Sequence, residues 1–252
     1  HKDTGLVPDV FNEKILSELK GEIAIGHVRY STTGSMKRVN SQPIVMSHIY
    51  GDIAVAHNGN LVNSKELRYE FEKNGCIFHT TNDSEIIAYM IVRERLSTDS
   101  IEQAIKNAMK HLSGAYSLVI ISGKKLIAVR DPNGFRPLCM GRTGKTVVFA
   151  SESCAFDAIG AEFIRDIEPG EIVTVEDGRI TSLDSGIRAR EALCVFEFVY
   201  FARPDSIIDG VSVELARQAA GRCLARRNKV EADIVIGVPD SGISAAMGFA
   251  KE

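Results

Sequence analysis

Short apolar strands separated by tight turns run through the second half of the chain, and they limit the class of fold it can form. The turns are Asp131-Pro132-Asn133-Gly134, Glu168-Pro169-Gly170 and Glu176-Asp177-Gly178. The predicted strands are 116–121, 125–130, 146–150, 171–176 and 179–182. Helices are predicted before them at 63–74, 84–96 and 101–112. Helices framed by antiparallel strands predict an α+β fold in which the helices cover sheets.

The pattern changes in the last quarter of the chain. A helix is predicted at 211–227, followed by a continuous apolar run at 232–238 and a second helix at 242–250. A continuous apolar run is typical of a strand that is buried in a parallel sheet. We therefore expect a first domain at residues 1–192 and the beginning of an α/β domain at residues 193–252.

Composition excludes several classes of partner. The 252 residues carry a formal net charge of -3 with 25% charged residues, whereas a nucleic-acid-binding surface needs an excess of basic residues. No apolar run approaches the roughly 20 residues that cross a bilayer. The five cysteines form no C-x-x-C pair and no regular framework, which indicates a reducing compartment. We expect a cytoplasmic protein without nucleic-acid or membrane partners.

The segment His57-Asn58-Gly59-Asn60 follows a strand-like run at 51–56. The Asn58 side-chain amide and the Gly59 N–H form a pair of donors for a negatively charged oxygen, because glycine allows a ligand to approach the backbone closely. This pattern is typical of an oxyanion hole. Asn-Gly is also the strongest two-residue signal for a hairpin turn. Both interpretations stay open for the segment taken alone.

Charged groups of opposite sign lie at two other element ends. Arg29 follows a strand-like run at 22–25 and is close in sequence to hydroxyl side chains, including that of Thr32. A guanidinium group and neighbouring hydroxyl groups can together bind a carboxylate. Asp83 begins an apolar helical run. Arg29 for the α-carboxylate, Asp83 for the α-ammonium and an oxyanion hole for the amide carbonyl would together bind glutamine. A surface charge for Arg29 and a helix cap for Asp83 are the alternatives.

Three motifs contain these residues, at 26–32, 57–61 and 81–85. They resemble the glutaminase half of the N-terminal-nucleophile, or class II, glutamine amidotransferases. Two further motifs, at 200–206 and 237–241, are similar to the amidophosphoribosyltransferase family within that class. The resemblance covers the chain essentially from end to end. It implies a four-layer αββα sandwich for the glutaminase domain, followed by the start of a phosphoribosyltransferase domain.

The resemblance implies roles for residues of the second domain. In Pro239-Asp240-Ser241-Gly242, Asp240 and Ser241 would bind phosphoribosyl pyrophosphate at a helix N-terminus, and Ser241 would lie near Mg²⁺. An ordinary connection capped by Asp240 or Ser241 is the alternative. Cys194 matches the first of four cysteines that hold a 4Fe-4S cluster in one branch of the family, whereas another branch lacks the cluster.

The resemblance also implies an activity. Such enzymes transfer ammonia from glutamine to phosphoribosyl pyrophosphate, which gives 5-phosphoribosylamine, pyrophosphate and glutamate in the first committed step of purine synthesis. We also expect a homo-oligomer. The nucleophile of the family is an amino-terminal cysteine whose own amine serves as the base, so His27 and His57 are expected to be packed supports. This chain begins with His1, and we expect either an internal fragment or a sequence trimmed to ordered residues.

Three rival functions stay open. A sister class II enzyme such as glucosamine-phosphate synthase would share Arg29, Asn58, Gly59 and Asp83. A non-catalytic protein could keep the glutamine pocket without the thiol. A nucleotide-binding α/β protein would account only for the loop at 237–242 and would leave the first half unexplained.

Overall fold

The computed structural model describes residues 1–29 and 37–252. Within these residues the chain divides into two compact units. The first unit contains His1–Phe135 and Ile167–Glu191, and the second contains Arg136–Asp166 and Ala192–Glu252. The segment before Ile167 thus groups with the carboxyl-terminal part of the chain. The expected functional domains, at 1–192 and 193–252, stay a prediction.

The described residues form eight α-helices and eleven strands. The helices are α1 (Val7–Val10), α2 (Glu13–Glu18), α3 (Ser64–Lys73), α4 (Asp83–Arg95), α5 (Ile101–Met109), α6 (Cys154–Ile159), α7 (Val213–Arg227) and α8 (Ser241–Lys251). The strands are β1 (Ile44–His48), β2 (Gly51–Leu61), β3 (Gly114–Ser122), β4 (Lys125–Arg130), β5 (Cys139–Thr143), β6 (Thr146–Ala150), β7 (Glu162–Asp166), β8 (Glu171–Glu176), β9 (Arg179–Asp184), β10 (Ile207–Ile208) and β11 (Val211–Ser212). Across residues 1–29 and 37–252, no helix combines the length and the apolar character needed to cross a membrane.

The first unit is built on one antiparallel sheet with the strand order β1-β2-β3-β4-β8-β9. Side chains alternate between the two faces of each strand, and one face packs against α4 and α5. The apolar positions of α5 recur at the helical spacing of three and four residues, which turns them toward the sheet. The core between sheet and helices includes Ile53, Val55, Ile87, Ile91, Ile105, Leu118, Ile120 and Ile127.

Most predicted elements are confirmed with small shifts at their ends. The three predicted helices before the strands are α3, α4 and α5, and the five predicted strands are β3, β4, β6, β8 and β9. The two predicted helices near the carboxyl end are α7 and α8. The residues that precede α7 by one or two positions form the short strand β11 instead of helix.

Two predicted strands are wrong. Residues 22–25 and 232–238 lie outside any strand in the described structure. In the second run Ile234, Ile236 and Val238 are 75%, 84% and 79% exposed. Apolar composition favours burial, but a strand forms only where a neighbour satisfies its N–H and C=O groups. No described segment pairs with either run.

The second unit contains a sheet with the order β6-β5-β7 and the hairpin β10-β11. Glu152, just before α6, accepts hydrogen bonds from the Arg203 N–H at 2.8 Å and the Ser206 hydroxyl at 2.8 Å. The Ser153 hydroxyl oxygen accepts from the Ile207 N–H at 2.8 Å. These bonds join the segment 136–166 to the carboxyl-terminal part of the chain, which explains why both belong to one unit.

Candidate functional site

Asn58 and Gly59 lie inside a strand. β2 continues through them to Leu61, and they pair with Ser117 and Tyr116 of β3. The hairpin-turn interpretation of this Asn-Gly pair is therefore wrong. The strand continues through this pair because β3 supplies partners from Ile53 to Leu61. The sequence alone could not show this pairing.

The backbone N–H of Gly59 faces away from β3. The Tyr116 carbonyl accepts from the Asp131 N–H at 2.9 Å, and the Tyr116 N–H points at Asp131 Oδ2 at 3.3 Å, so the main-chain groups of Tyr116 face β4. The direction of these groups alternates along a strand. The main-chain N–H and C=O groups of Ser117 therefore face β2 and pair with Asn58. It follows that the N–H groups of His57, Gly59 and Leu61 all point to the opposite edge, toward the β1 side.

Side-chain oxygens occupy two of these three edge positions. Gln42 Oε1 accepts from the His57 N–H at 2.6 Å, and Asp83 Oδ2 accepts from the Leu61 N–H at 2.9 Å. No side chain in the described part of the chain accepts from the Gly59 N–H, which lies between them. An uncapped N–H flanked by two capped ones is a specific place for an anionic oxygen.

Position 59 requires glycine. Its φ angle is +151°, which side-chain-bearing residues rarely adopt. A Cβ atom here would overlap the Ala115 carbonyl oxygen and would lie 2.8 Å from His57 Nε2. The close packing of the backbone against β3 therefore excludes any side chain at position 59.

Asp83 is buried at the first turn of α4. The helix cap is Asn82, whose Oδ1 accepts from the Ser84 N–H at 3.1 Å, so Asp83 is not the cap. One Asp83 oxygen binds the Leu61 N–H, and the other lies 3.7 Å from His57 Nδ1. The carboxylate is thus held beside both ends of the segment that contains Asn58 and Gly59.

The loop before α4 is fixed by buried polar groups. Glu85 accepts from the His79 N–H at 2.9 Å and from the Thr80 N–H at 2.7 Å. Asn40 is fully buried and exchanges hydrogen bonds with Thr81, donating from Nδ2 at 3.0 Å and accepting at Oδ1 at 2.9 Å. These contacts give the Asp83 carboxylate a defined position.

His57 is a packed support, as expected. It is 3% exposed. Its Nε2 lies 3.3 Å from the Ala115 carbonyl oxygen, and Nδ1 lies 3.2 Å from Ser84 Oγ. Both ring nitrogens have neighbours that hold the imidazole in place between β2, β3 and α4.

The segment that carries Arg29 reaches the same place on β2. His27 Nε2 donates to the His57 carbonyl at 3.0 Å. Burial lowers the pKa of His27 below its ordinary value, and the positive charge of Arg29 contributes in the same direction. Arg29 is half-buried. Thr32, predicted beside it, lies outside the described residues.

The described candidates for glutamine recognition therefore converge. Asn58 and Gly59 on β2, Asp83 on α4 and the segment leading to Arg29 all meet around His57. Sequence reasoning missed Gln42 and Asn40, which fix this arrangement. Neither residue has a periodic pattern or a motif partner that could have identified it, since their contacts are with residues distant in sequence.

The candidates in the second unit are less enclosed. Asp240 is exposed and immediately precedes α8, and its side chain makes no capping bond. Ser241 is the half-buried first residue of that helix. Cys194 is a half-buried free thiol. Within the described residues, no group of three or more His, Cys, Asp or Glu side chains could hold a metal ion, so Cys194 has no partner set there.

Comparison with known proteins gives consistent matches. The glutamine amidotransferase domain model matches residues 27–158, just over half of the chain. An amidophosphoribosyltransferase of Methanocaldococcus jannaschii is 50% identical, over 100% of this chain and 57% of that protein. One from Bacillus subtilis is 45% identical, over 100% of this chain and 52% of that protein.

A solved structure shows the same fold. The glutamine phosphoribosylpyrophosphate amidotransferase from B. subtilis, complexed with ADP and GMP, matches with a TM-score of 0.91 and 44% identity over 98% of this chain and 53% of that chain. The predicted α+β glutaminase fold is thereby confirmed. The chain spans about half the length of the relatives it matches.

Proposed function

We propose, because this chain belongs to the glutamine amidotransferase domain family, that it forms the glutamine-hydrolysing part of an amidophosphoribosyltransferase. The proteins of that name from M. jannaschii and B. subtilis are 50% and 45% identical to it. In the proposed reaction, glutamine, phosphoribosyl pyrophosphate and water give 5-phosphoribosylamine, pyrophosphate and glutamate. Membership of the family supports the hydrolysis of glutamine. The names of the relatives support phosphoribosyl pyrophosphate as the acceptor of the ammonia.

The Gly59 N–H supports this proposal most directly: it has no side-chain acceptor in the described part of the chain and lies between the capped N–H groups of His57 and Leu61 on β2. When a thiolate attacks the amide carbon of glutamine, the carbonyl oxygen becomes negatively charged. Gly59 N–H and the Asn58 side-chain amide are the donors proposed for this oxygen. Removing one such donor typically costs about 2.7–4 kcal/mol of transition-state stabilisation.

The α-ammonium and α-carboxylate groups of the glutamine would be bound by two charged residues. Asp83 would bind the α-ammonium with the carboxylate oxygen that faces His57, while its other oxygen keeps the bond to Leu61. Arg29 would bind the α-carboxylate. The attacking thiolate is taken from an amino-terminal cysteine, as the family resemblance implies, and no described residue is assigned that role. Ammonia leaves as a γ-glutamyl thioester forms, and water then releases glutamate.

The second unit would contribute to the acceptor site. Asp240 and Ser241 offer oxygen atoms of the kind that Mg²⁺ prefers, at the N-terminal end of α8, where N–H groups and the helix dipole favour phosphate. Cys194 would supply one thiolate of a four-thiolate cluster. An iron and sulfide assay on the intact enzyme tests the cluster directly. A cytoplasmic homo-oligomer stays the expectation for the whole enzyme.

Asp83→Asn in the intact enzyme tests the assignment of glutamine. Asparagine can still accept from the Leu61 N–H but has lost the charge that would pair with the α-ammonium. The KM for glutamine should rise roughly tenfold to a hundredfold, as expected for a lost charged hydrogen bond. Synthesis of phosphoribosylamine from free ammonia should be nearly unchanged.

The matched control is Asp52→Asn, on strand β2. Asp52 is exposed and accepts only from the Ser47 hydroxyl at 2.7 Å among the described contacts, so its change should leave both activities intact. Equal loss of the glutamine-dependent and the ammonia-dependent activity in the Asp83 variant would refute the assignment.

The same assay separates the rival functions. A glucosamine-phosphate synthase would release ammonia to a sugar phosphate and would not consume phosphoribosyl pyrophosphate. A non-catalytic protein would bind glutamine without forming glutamate. Release of pyrophosphate that depends on glutamine supports the proposed reaction over both.

A further inference from the structure

The Gln42 side chain occupies the place of a strand residue beside β2. β1 pairs with β2 in an antiparallel register that ends at Ile44 opposite Val55. Continued by two residues, this register would place Gln42 opposite His57. There the side-chain amide takes over from the main chain: Oε1 accepts from the His57 N–H at 2.6 Å, and Nε2 donates to the His57 carbonyl at 3.2 Å.

Because a side chain replaces the main chain at this position, the main-chain pairing of β2 on this edge ends at a defined residue. In an antiparallel ladder the hydrogen-bonded pairs recur every second residue. A further main-chain pair would therefore have brought the carbonyl of Asn40 against the Gly59 N–H. Instead the Asn40 carbonyl accepts from Asn82 Nδ2 at 3.3 Å, and the Asn40 side chain binds Thr81. Among the described residues, side chains accept from the N–H groups of His57 and Leu61 on this edge, and none accepts from that of Gly59.

Gln42 also helps to fix the peptide plane that precedes Asn58. The His57 carbonyl belongs to this plane and accepts two hydrogen bonds, from Gln42 Nε2 at 3.2 Å and His27 Nε2 at 3.0 Å. A carbonyl oxygen has two lone pairs, so both are used. Gln42 is only 9% exposed, and its amide cannot exchange these partners freely for water.

We infer that Gln42 is a positioning residue for the oxyanion donors. Its side-chain amide completes the β2 edge at His57, orients the strand that carries Asn58 and Gly59, and leaves the Gly59 N–H exposed to the ligand. This inference rests on the proposed function, because it assumes that the two donors stabilise a tetrahedral intermediate of glutamine hydrolysis. Gln42 itself is not expected to touch the substrate.

The test compares two substitutions in the intact enzyme. Gln42→Met keeps the length of the side chain and removes both hydrogen bonds, whereas Gln42→Glu keeps the acceptor for the His57 N–H and removes the donor. Small displacements of a catalytic group can cost about a hundredfold in rate. We expect kcat for glutamine hydrolysis to fall about tenfold to a hundredfold in Gln42→Met, less in Gln42→Glu, with little change in KM. Gln103→Ala, on the exposed side of α5, is the control for removing a glutamine side chain, and it should leave glutamine hydrolysis unchanged.

Inhibitor binding distinguishes positioning from general damage. An aldehyde analogue of glutamine, which forms a tetrahedral adduct with the thiolate, should bind Gln42→Met at least about tenfold more weakly. The product glutamate, which forms no such adduct, should bind with nearly unchanged affinity. Equal weakening of both inhibitors, or no change in either, would overturn the inference.

Amide hydrogen exchange on the unaltered enzyme keeps the inference testable if the variants do not fold. The N–H groups of His57 and Leu61 should be protected, and that of Gly59 should exchange much faster. Equal protection of all three would contradict it. If the unaltered intact enzyme forms no glutamate from glutamine, the proposed function fails instead, whatever the exchange pattern.

Discussion

At the scale of single residues, the site depends on a few polar groups whose partners are fixed by burial. Residue types alone predicted Asn58, Gly59 and Asp83, because an amide, a glycine and a carboxylate each have a distinct chemical use. The contacts that hold them could not be predicted. Gln42 acts through the backbone of a residue fifteen positions away, and no property of glutamine itself indicates that use.

His27 should make the stability of the intact enzyme sensitive to pH. Its Nε2–H donates to the His57 carbonyl, and Nδ1 is buried without a hydrogen-bond partner among the described residues. Protonation of Nδ1 would add a charge that burial and Arg29 disfavour, and the pKa is lowered from its ordinary value of 6.5. The unfolded chain therefore takes up the proton first, so stability should be complete above about pH 6.5 and should fall below it.

His27→Gln tests this expectation, because glutamine can still donate to the His57 carbonyl and does not titrate. The free energy of unfolding, measured by denaturant between pH 7.5 and 5.5, should decline less in the variant than in the unaltered enzyme. His111→Gln, at a more exposed histidine of the first unit, is the control. An identical decline in the unaltered enzyme and the His27 variant would show that His27 has no part in the pH dependence.

At the scale of helices and strands, local pattern predicted elements well where their partners are close in sequence. α4 and α5 were predicted within a few residues, since helical periodicity and capping residues are local signals. Strand predictions failed where the formation of a strand depends on a pairing partner. Residues 232–238 have the composition of a buried strand, but in the described structure they are unpaired and mostly exposed. β2 extends beyond its predicted end because β3 pairs with it to Leu61.

The packing of α7 against α8 gives a prediction at this scale. A Cβ atom at Gly248 would overlap the Gln218 carbonyl, and one at Gly221 would overlap that of Ala245. Gly248→Ala should destabilise the intact protein by about 1–3 kcal/mol, as other overpacked contacts do. Gly242→Ala in the same helix, where the nearest atom would be 3.7 Å away, should be neutral or slightly stabilising.

Thermal and denaturant unfolding of both variants measure this difference. Equal stability of the two variants would mean that the close approach of the helices does not depend on Gly248.

At the scale of the whole molecule, the motifs predicted the family better than the organisation of the chain. The family model and the relatives' identity over the full chain agree with the resemblance. The composition of the two compact units was not expected, because residues 136–166 join the second unit. That grouping is produced by contacts such as the one between Glu152 and Ser206, which join residues 54 positions apart.

Arg29, Asn58, Gly59 and Asp83 are proposed to surround one molecule of glutamine. A crystal structure of the intact enzyme, reacted with a glutamine analogue whose amide is replaced by a reactive ketone, tests it most directly. We expect the ketone-derived oxygen within hydrogen-bond distance of the Gly59 N–H and the Asn58 amide, the ammonium at Asp83 and the carboxylate at Arg29. An adduct whose oxygen points away from Gly59, or whose charged groups contact neither Asp83 nor Arg29, would contradict the account.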